Sequence, residues 1–180
     1  MKKSFFRRVG NRFFHMLARS CPGSTTLRPW LHRARGVTVG SGVFIGDGVY
    51  LDNEYPECIE IHENVQISIR AIVVAHTRGS GRVIIEKNAF VGPGAIIICG
   101  AGRVLKIGEG AVVGAGSVIT KSIPPRLFVA SPAPQPMARV RVPLPLAKTM
   151  TEFWAGLDVL PNHPPGKPSV PQADQPVNAP

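Results

Sequence analysis

The stretch that decides the fold runs from Ile107 to Ile123 and reads IGEGAVVGAGSVITKSI. Its aliphatic residues Ile107, Val113 and Ile119 stand six residues apart, and a small residue follows four positions after the first two. The same spacing recurs in three earlier groups, Ile45-Leu51, Ile61-Ile67-Val73 and Ile85-Val91-Ile97. Such a hexapeptide repeat predicts a parallel β-helix whose aliphatic side chains fill a triangular prism.

The intervals between these groups predict where loops leave the prism. Three six-residue rungs make a coil of about 18 residues. The four groups begin 16, 24 and 22 residues apart, at Ile45, Ile61, Ile85 and Ile107. The largest interval leaves room for a loop at residues 76–82, HTRGSGR. Because insertions in solenoids often form the binding face, His76 is the first candidate for a functional side chain.

Composition and charge predict one domain with appendages. Nine of the 21 basic residues precede the first acid, Asp47, so the net charge of +10 belongs to the N-terminus. We predict a basic helical segment at residues 1–36, the β-helix at 37–123 and an extension at 124–160. Residues 161–180 are proline-rich and poor in apolar side chains, which predicts a disordered tail.

Residues 3–20 have the spacing of an amphipathic helix, and a second short helix is expected over 27–35. The apolar face of the first helix consists of Phe5, Phe6, Val9, Phe13, Met16 and Leu17. Two interpretations stay open: the helix caps the open end of the prism, or it lies on an anionic membrane surface. Nucleic acid is not an expected partner, because no binding motif accompanies the basic residues.

The cysteines and histidines exclude several classes of site. Cys21, Cys58 and Cys99 have no metal-ligand spacing and cannot all pair, which predicts a reduced, cytoplasmic protein. The chain has no apolar run of membrane-spanning length. The only histidines expected on the prism are His62 and His76, so the three-histidine site of a β-helical carbonic anhydrase is not expected and no metal is predicted.

The repeats resemble those of the hexapeptide-repeat acetyltransferases, closest to the galactoside, maltose and polysaccharide O-acetyltransferases. The resemblance covers about residues 37–140 and is carried by residues 85–100, by Ala75-His76-Thr77 and by residues 107–125. It implies that the β-helix is left-handed. The predicted fold is therefore mainly β, a left-handed parallel β-helix with the short N-terminal helices and the proline-rich C-terminal tail described above. The resemblance further implies a homotrimer with active sites between subunits and acetyl-CoA as co-substrate.

The resemblance also implies roles for individual residues. His76 stands at the family's catalytic histidine, and a histidine base suits proton removal from an acceptor hydroxyl. Asp52 matches a position that contacts the acceptor sugar, and it either binds a sugar hydroxyl or orients His76. Asn53 and Phe90 are further acceptor-side candidates. A carbohydrate hydroxyl is the expected acceptor, in surface polysaccharide or glycolipid synthesis at the inner membrane face.

The candidates for the acetyl-CoA groove are Gly92, Gly94, Ala115, Thr120, Lys121 and Arg126. The resemblance matches Ala115, Thr120 and Lys121 to groove positions. A basic residue of the family is missing after the prism, and Arg126, Arg139 or Arg141 is the candidate to replace it. The chain also departs from the family at the donor to the tetrahedral oxyanion, a position that falls on Pro93, because proline has no N–H; Gly92 or Gly94 is the alternative donor. Two alternatives to O-acetylation remain open: transfer to the amine of an amino sugar or amino acid, and a non-catalytic hexapeptide scaffold.

Overall fold

The computed structural model describes residues 5–77, 79–132, 135–136 and 138–160. The predicted tail at 161–180 lies outside the described residues. The described residues divide into two compact units, one that ends at residue 132 and one that follows it. The first unit begins with two helices, α1 (Phe5–Ser20) and α2 (Leu27–Ala34), and continues as a parallel β-helix.

The β-helix consists of thirteen short strands on three faces. The first face contains β1 (Thr38–Val39), β4 (Ile59–Ile61), β7 (Arg82–Ile85) and β10 (Val104–Ile107). The second face contains β2 (Phe44–Ile45), β5 (Gln66–Ile67), β8 (Phe90–Val91), β11 (Val112–Val113) and β13 (Phe128–Val129). The third face contains β3 (Tyr50–Leu51), β6 (Ile72–Val74), β9 (Ile96–Ile98) and β12 (Val118–Ile119). All neighbouring strands on these faces are parallel, as the hexapeptide repeat predicts.

The aliphatic residues of the repeat form the core of the prism. All eleven are buried, and each burial contributes about 1.5–3 kcal/mol to folding. The first coil begins at Val39 and not at Ile45, where the first group in the sequence begins. Val39 pairs with Ile61 on the first face, whereas Ile45 pairs with Ile67 on the second face. Val39 precedes Ile45 by six residues and is followed by glycine, so the pattern contained this signal. Parallel pairing also continues past Ile123, since β13 pairs with β11.

The three corners of the prism differ in the length of their turns. The first corner joins the first and second faces, and the second corner joins the second and third faces. Both corners have tight turns that contain residues in the left-handed conformation. The non-glycine examples are Asn64, Arg70, Asn88 and Arg126, with φ between 56° and 60°. At the third corner the chain runs from the third face to the first, and there it forms longer loops. The paired core residues flanking this corner are 10, 12 and 10 residues apart in the first three coils, at Leu51/Ile61, Val73/Ile85 and Ile97/Ile107.

Three arginines, two in the second helix and one at its C-cap, bind the open edge of the first coil. Arg33 donates from Nε to the carbonyl of Val39 at 2.8 Å, on the first face. Arg28 donates to the carbonyl of Ile45 at 3.0 Å, on the second. Arg35 donates to the carbonyl of Leu51 at 2.8 Å, on the third. Each face would otherwise expose an unpaired strand edge, so part of the basic excess of the N-terminus has a structural purpose.

Helix α1 packs on α2 and β3 and retains an exposed apolar face. Ala18 and His15 are buried, whereas Phe13 and Met16 are 60% and 70% exposed. The side chains of Phe5 and Phe6 lie outside the part that can be described. Within the described residues, no helix has the length and apolar character needed to cross a bilayer.

The second unit has its own small set of elements. Strands β14 (Ala138–Val140) and β15 (Leu157–Val159) pair antiparallel. Helix α3 (Met150–Ala155) lies between these two strands in the sequence. The hydroxyl of Thr149 accepts a hydrogen bond from the Glu152 N–H at 3.1 Å and caps this helix.

Candidate active site

The third corner of the prism brings Asp52 and His76 into contact. Asp52 follows β3 in the first coil, and His76 follows β6 in the second. The two strands pair with Leu51 opposite Val73, so the residues after them are stacked one above the other. His76 Nδ1 lies 2.5 Å from Asp52 Oδ2. Residues 24 apart in sequence thus form a direct carboxylate–imidazole pair.

Asp52 has no surface exposure and both of its carboxylate oxygens are occupied. Oδ1 accepts the N–H groups of Glu54 at 2.9 Å and Tyr55 at 3.0 Å, and Oδ2 accepts that of Ala75 at 2.8 Å. Burial alone would raise the pKa of Asp52, but hydrogen bonds from His76 and these three amides outweigh it and lower the pKa. The carboxyl group is therefore a buried, ionised anchor.

The His76 ring is held on one side and open on the other. Its side chain is 31% exposed, and its ring centroid lies 5.3 Å from that of Tyr55 at an angle of 51°. A bridge between His76 and Ser80 and a hydrogen bond from the Gly81 N–H to the Ala75 carbonyl close the loop. Because Asp52 occupies Nδ1, Nε2 is the ring atom able to take a proton from another molecule.

Tyr55 is a neighbour of His76 that sequence reasoning missed. It precedes a 3-10 helix at Pro56–Cys58, in the loop that the first coil forms at the third corner. The interval from Leu51 to Ile61 exceeds a six-residue rung by four residues, and it could have indicated this loop. It does so only if the first coil begins at Val39, because Leu51 is then the last core residue of that coil.

The two other acceptor-side candidates lie in different places. Asn53 is adjacent to the pair, and its main-chain carbonyl accepts a hydrogen bond from Asn11 of α1 at 2.5 Å. Phe90 points outward from the second face, between Gln66 and Val112. In a triangular prism the second face lies opposite the third corner. A single chain therefore does not bring Phe90 to His76.

The six residues expected along the acetyl-CoA groove are spread over all three corners. Gly92, Gly94 and Ala115 lie at the second corner. Thr120 and Lys121 lie at the third corner, two coils beyond His76, and Arg126 lies at the first corner. A single chain therefore does not bring these residues together.

The glycines at the second corner are also needed by the fold. A Cβ on Gly92 would lie 2.7 Å from the main-chain nitrogen of Ala115, and Gly94 has a φ of +64°. Their N–H groups donate to the carbonyls of Val113 and Ile69, at 2.8 and 2.9 Å. Neither N–H could meet an oxyanion without breaking a bond between coils, and Pro93 between them has none.

Comparisons with known proteins support the fold and identify the family. No family model matches the chain. It is 30% identical over 131 residues to the Bacillus subtilis (strain 168) protein named "Putative acetyltransferase YvoF", covering 69% of this chain and 73% of that protein. It is 35% identical over 111 residues to a protein of Schizosaccharomyces pombe (strain 972 / ATCC 24843) named "Putative serine acetyltransferase". That match covers 58% of this chain and 40% of the other protein.

Among solved structures, a maltose O-acetyltransferase from Clostridium difficile 630 aligns with a TM-score of 0.46 at 21% identity, covering 70% of this chain and 80% of that one. The chain spans only about two fifths of the length of its serine acetyltransferase relatives. The match to the Bacillus protein, however, covers 73% of that protein's length. Together with the parallel β-helix of hexapeptide repeats, this shows that the chain belongs to the hexapeptide-repeat acetyltransferases, whose β-helix is left-handed.

Proposed function

We propose that this protein is an O-acetyltransferase that transfers the acetyl group of acetyl-CoA to a hydroxyl, with His76 as general base. The observation that carries the proposal is the contact of His76 Nδ1 with the buried, ionised Asp52 at a solvent-accessible corner. A neutral alcohol is a poor nucleophile, and a histidine whose other nitrogen is fixed by a carboxylate is suited to activate it.

In the proposed reaction, Nε2 of His76 takes the hydroxyl proton while the acceptor oxygen attacks the thioester carbonyl carbon. The carbon–sulfur bond then breaks, and the imidazolium returns the proton to the departing CoA sulfur. The Asp52 carboxylate holds the ring and stabilises its charged form. Of the two roles that the sequence leaves open for Asp52, orientation of His76 agrees with its burial, and direct contact with a sugar does not.

We propose a carbohydrate hydroxyl as the acceptor. Asn53 and the exposed edge of His76 are polar, while the Tyr55 ring next to His76 offers a flat surface for the apolar face of a sugar. A second candidate is serine or another amino acid, because two relatives bear the name serine acetyltransferase. Transfer to an amine would need the same base.

An acceptor screen tests this function. We expect the purified chain to consume acetyl-CoA with at least one sugar or nucleotide-sugar and to yield an O-acetyl product by mass spectrometry. Serine, other amino acids and amino sugars form the comparison set. Acetyl groups found only on amines would move the protein to N-acetylation, and acetyl-CoA that neither binds nor turns over would favour a scaffold.

We further propose that the active protein is a homotrimer with acetyl-CoA between subunits. The outward residues of the first face are mainly polar, Thr38, Glu60, Ile84 and Lys106. Those of the third face are Tyr50, Ile72, Ile96 and Val118. The second face carries Phe44, Phe90, Val112 and Phe128, with the polar Gln66 between Phe44 and Phe90. The third face is thus a contiguous row of apolar and aromatic side chains, and surface of this kind favours association. Association would also allow Phe90 and the groove residues, including Lys121, to approach the His76 of another chain.

Light scattering tests this assembly. We expect a mass three times that of the 19.3-kDa chain at micromolar concentration. We also expect a charge substitution on the third face, Val118→Asp, to lower both the mass and acetyl-CoA binding, because Val118 is 57% exposed in the single chain. A monomer that binds acetyl-CoA as tightly as the unmodified protein would contradict a shared groove.

We also propose that α1 rests on the cytoplasmic surface of an anionic membrane. Its exposed Phe13 and Met16 are flanked by the exposed Arg12 and Arg19, and no acid precedes Asp47. Each basic residue near such a surface contributes about 1 kcal/mol.

Vesicle flotation tests this contact. We expect the protein to float with anionic vesicles but not with zwitterionic vesicles. The double variant Phe13→Ser, Met16→Ser should lose it, and flotation unaffected by that change would rule out this contact.

A further inference from the structure

The N-terminal helices hold the main chain on which Asp52 stands. Three successive carbonyls at the end of β3 accept hydrogen bonds from these helices. The Arg35 guanidinium donates to the carbonyls of Leu51 and Asp52, and the Asn11 side chain donates to that of Asn53. The carboxylate of Asp52 meanwhile binds His76 on the other side. The Asp52 peptide is therefore fixed between the helices and the candidate base.

Arg35 is the centre of this contact. It is only 5% exposed although it carries a charge, and its donors are taken up by groups on two different elements. Besides the two β3 carbonyls, its Nε donates to Asn11 Oδ1 at 3.0 Å, and an N–H contacts His15 Nδ1. A buried guanidinium is costly unless its donors are satisfied, and here they are satisfied by α1 and by the end of β3. The same atoms therefore dock helix α1 and set the Asp52 main chain.

We propose that Arg35 is a positioning residue for the acetyl transfer proposed above, acting through Asp52 on His76. The other two capping arginines bind strand ends that lead to ordinary corner turns. Arg35 alone among the three binds the residue whose side chain holds the candidate base. Small displacements of a catalytic group reduce turnover strongly, so loss of this anchor acts on the chemical step and leaves substrate binding largely unaffected.

Arg33, an exposed arginine that caps the first face, provides a control for a test of this role. Arg33→Met and Arg35→Met each remove one arginine cap from the first coil, and both should lower the melting temperature. We expect Arg35→Met to lose on the order of 10-fold in kcat with the KM for acetyl-CoA unchanged. Arg33→Met should keep kcat, and Arg35→Lys, which retains a charge and a donor, should recover part of it. Equal kcat in the two methionine variants would overturn the proposal.

A second measurement does not depend on activity. The proton in the short His76–Asp52 hydrogen bond should give a separate, strongly downfield NMR resonance, assigned through its loss in His76→Ala. We expect this resonance in the unmodified protein and in Arg33→Met, and its broadening or loss in folded Arg35→Met. An unchanged resonance in Arg35→Met would also overturn the positioning role. If the protein acetylates nothing but the resonance responds as expected, the proposed function fails and the positioning of His76 by Arg35 stands.

Discussion

Replacing His76 by alanine should leave the fold intact and reduce turnover at least ~100-fold, the usual scale for loss of a general base. The fold should survive because the ring lies on a loop at the third corner and is 31% exposed, outside the aliphatic core. Activity should fall because no other described side chain at that corner presents an imidazole. The measurement is steady-state acetyl transfer, with the parallel β-helix checked by circular dichroism.

Two further variants sharpen this experiment. His62→Ala removes a histidine from the first corner of the same coil, and it should turn over normally. Asp52→Asn keeps the size of the side chain but removes the charge that holds the His76 ring, so it should also lose turnover. Normal acetyl transfer by well-folded His76→Ala would eliminate His76 as the base, whatever the behaviour of Asp52→Asn.

Acidification should destabilise the protein well before the carboxylates titrate, because two histidines are buried under the arginine caps. Burial and the nearby Arg35 lower the pKa of His32 to about 3 and that of His15 to about 4. His32 has no exposure, and neither of its ring nitrogens has a hydrogen-bond partner among the described residues. Protonation of His15 would also remove the acceptor that its Nδ1 offers to Arg35.

The sign of the effect follows from proton binding. Between pH 6.5 and these lowered pKa values the unfolded chain binds more protons than the folded one, so the free energy of unfolding falls as the pH falls. For His32 alone the loss between pH 7 and pH 4 is about 3 kcal/mol. Urea unfolding at several pH values measures this pH dependence of the free energy of unfolding.

The variant His32→Leu should make the free energy of unfolding less dependent on pH, because leucine fills a similar volume and does not titrate. It should also stabilise the protein at pH 7, because two buried nitrogens without partners are removed. Leu31→Ala is the control: it removes a buried side chain of the same helix and should lower stability equally at every pH. If His32→Leu keeps the full pH dependence of the unmodified chain, His32 is not its source.

The prism was predictable because its signal is local and repeated. Every coil places its aliphatic residues on the same spacing, so eleven positions carry the same information and all eleven are buried. The beginning and end of the β-helix were harder. Val39 continues the six-residue spacing of Ile45 and Leu51, but the groups named from the sequence begin only at Ile45. Strand β13 follows the shortest coil, where Ile107 and Ile123 are only 16 residues apart.

The candidate site was predictable only in part. His76 could be named because its loop makes the interval around it the longest. Its contact with Asp52 could not be derived from spacing alone, since it depends on which strands of successive coils pair. The hydrogen bonds from Arg35 to Asp52 and from Asn11 to Asn53 could not be predicted from the sequence. They join residues 17 and 42 positions apart, and neither pair belongs to a repeating pattern.

The placement of the longer loops has a consequence for how this protein can diverge. At the first and second corners the turn length is fixed, since one added residue would reverse the inward and outward sides of every strand that follows. The third corner already tolerates spans of 10 and 12 residues between core positions without loss of pairing. Under the proposed function, we therefore expect that exchange of one loop at the third corner alters acceptor preference while the rest of the β-helix is unchanged.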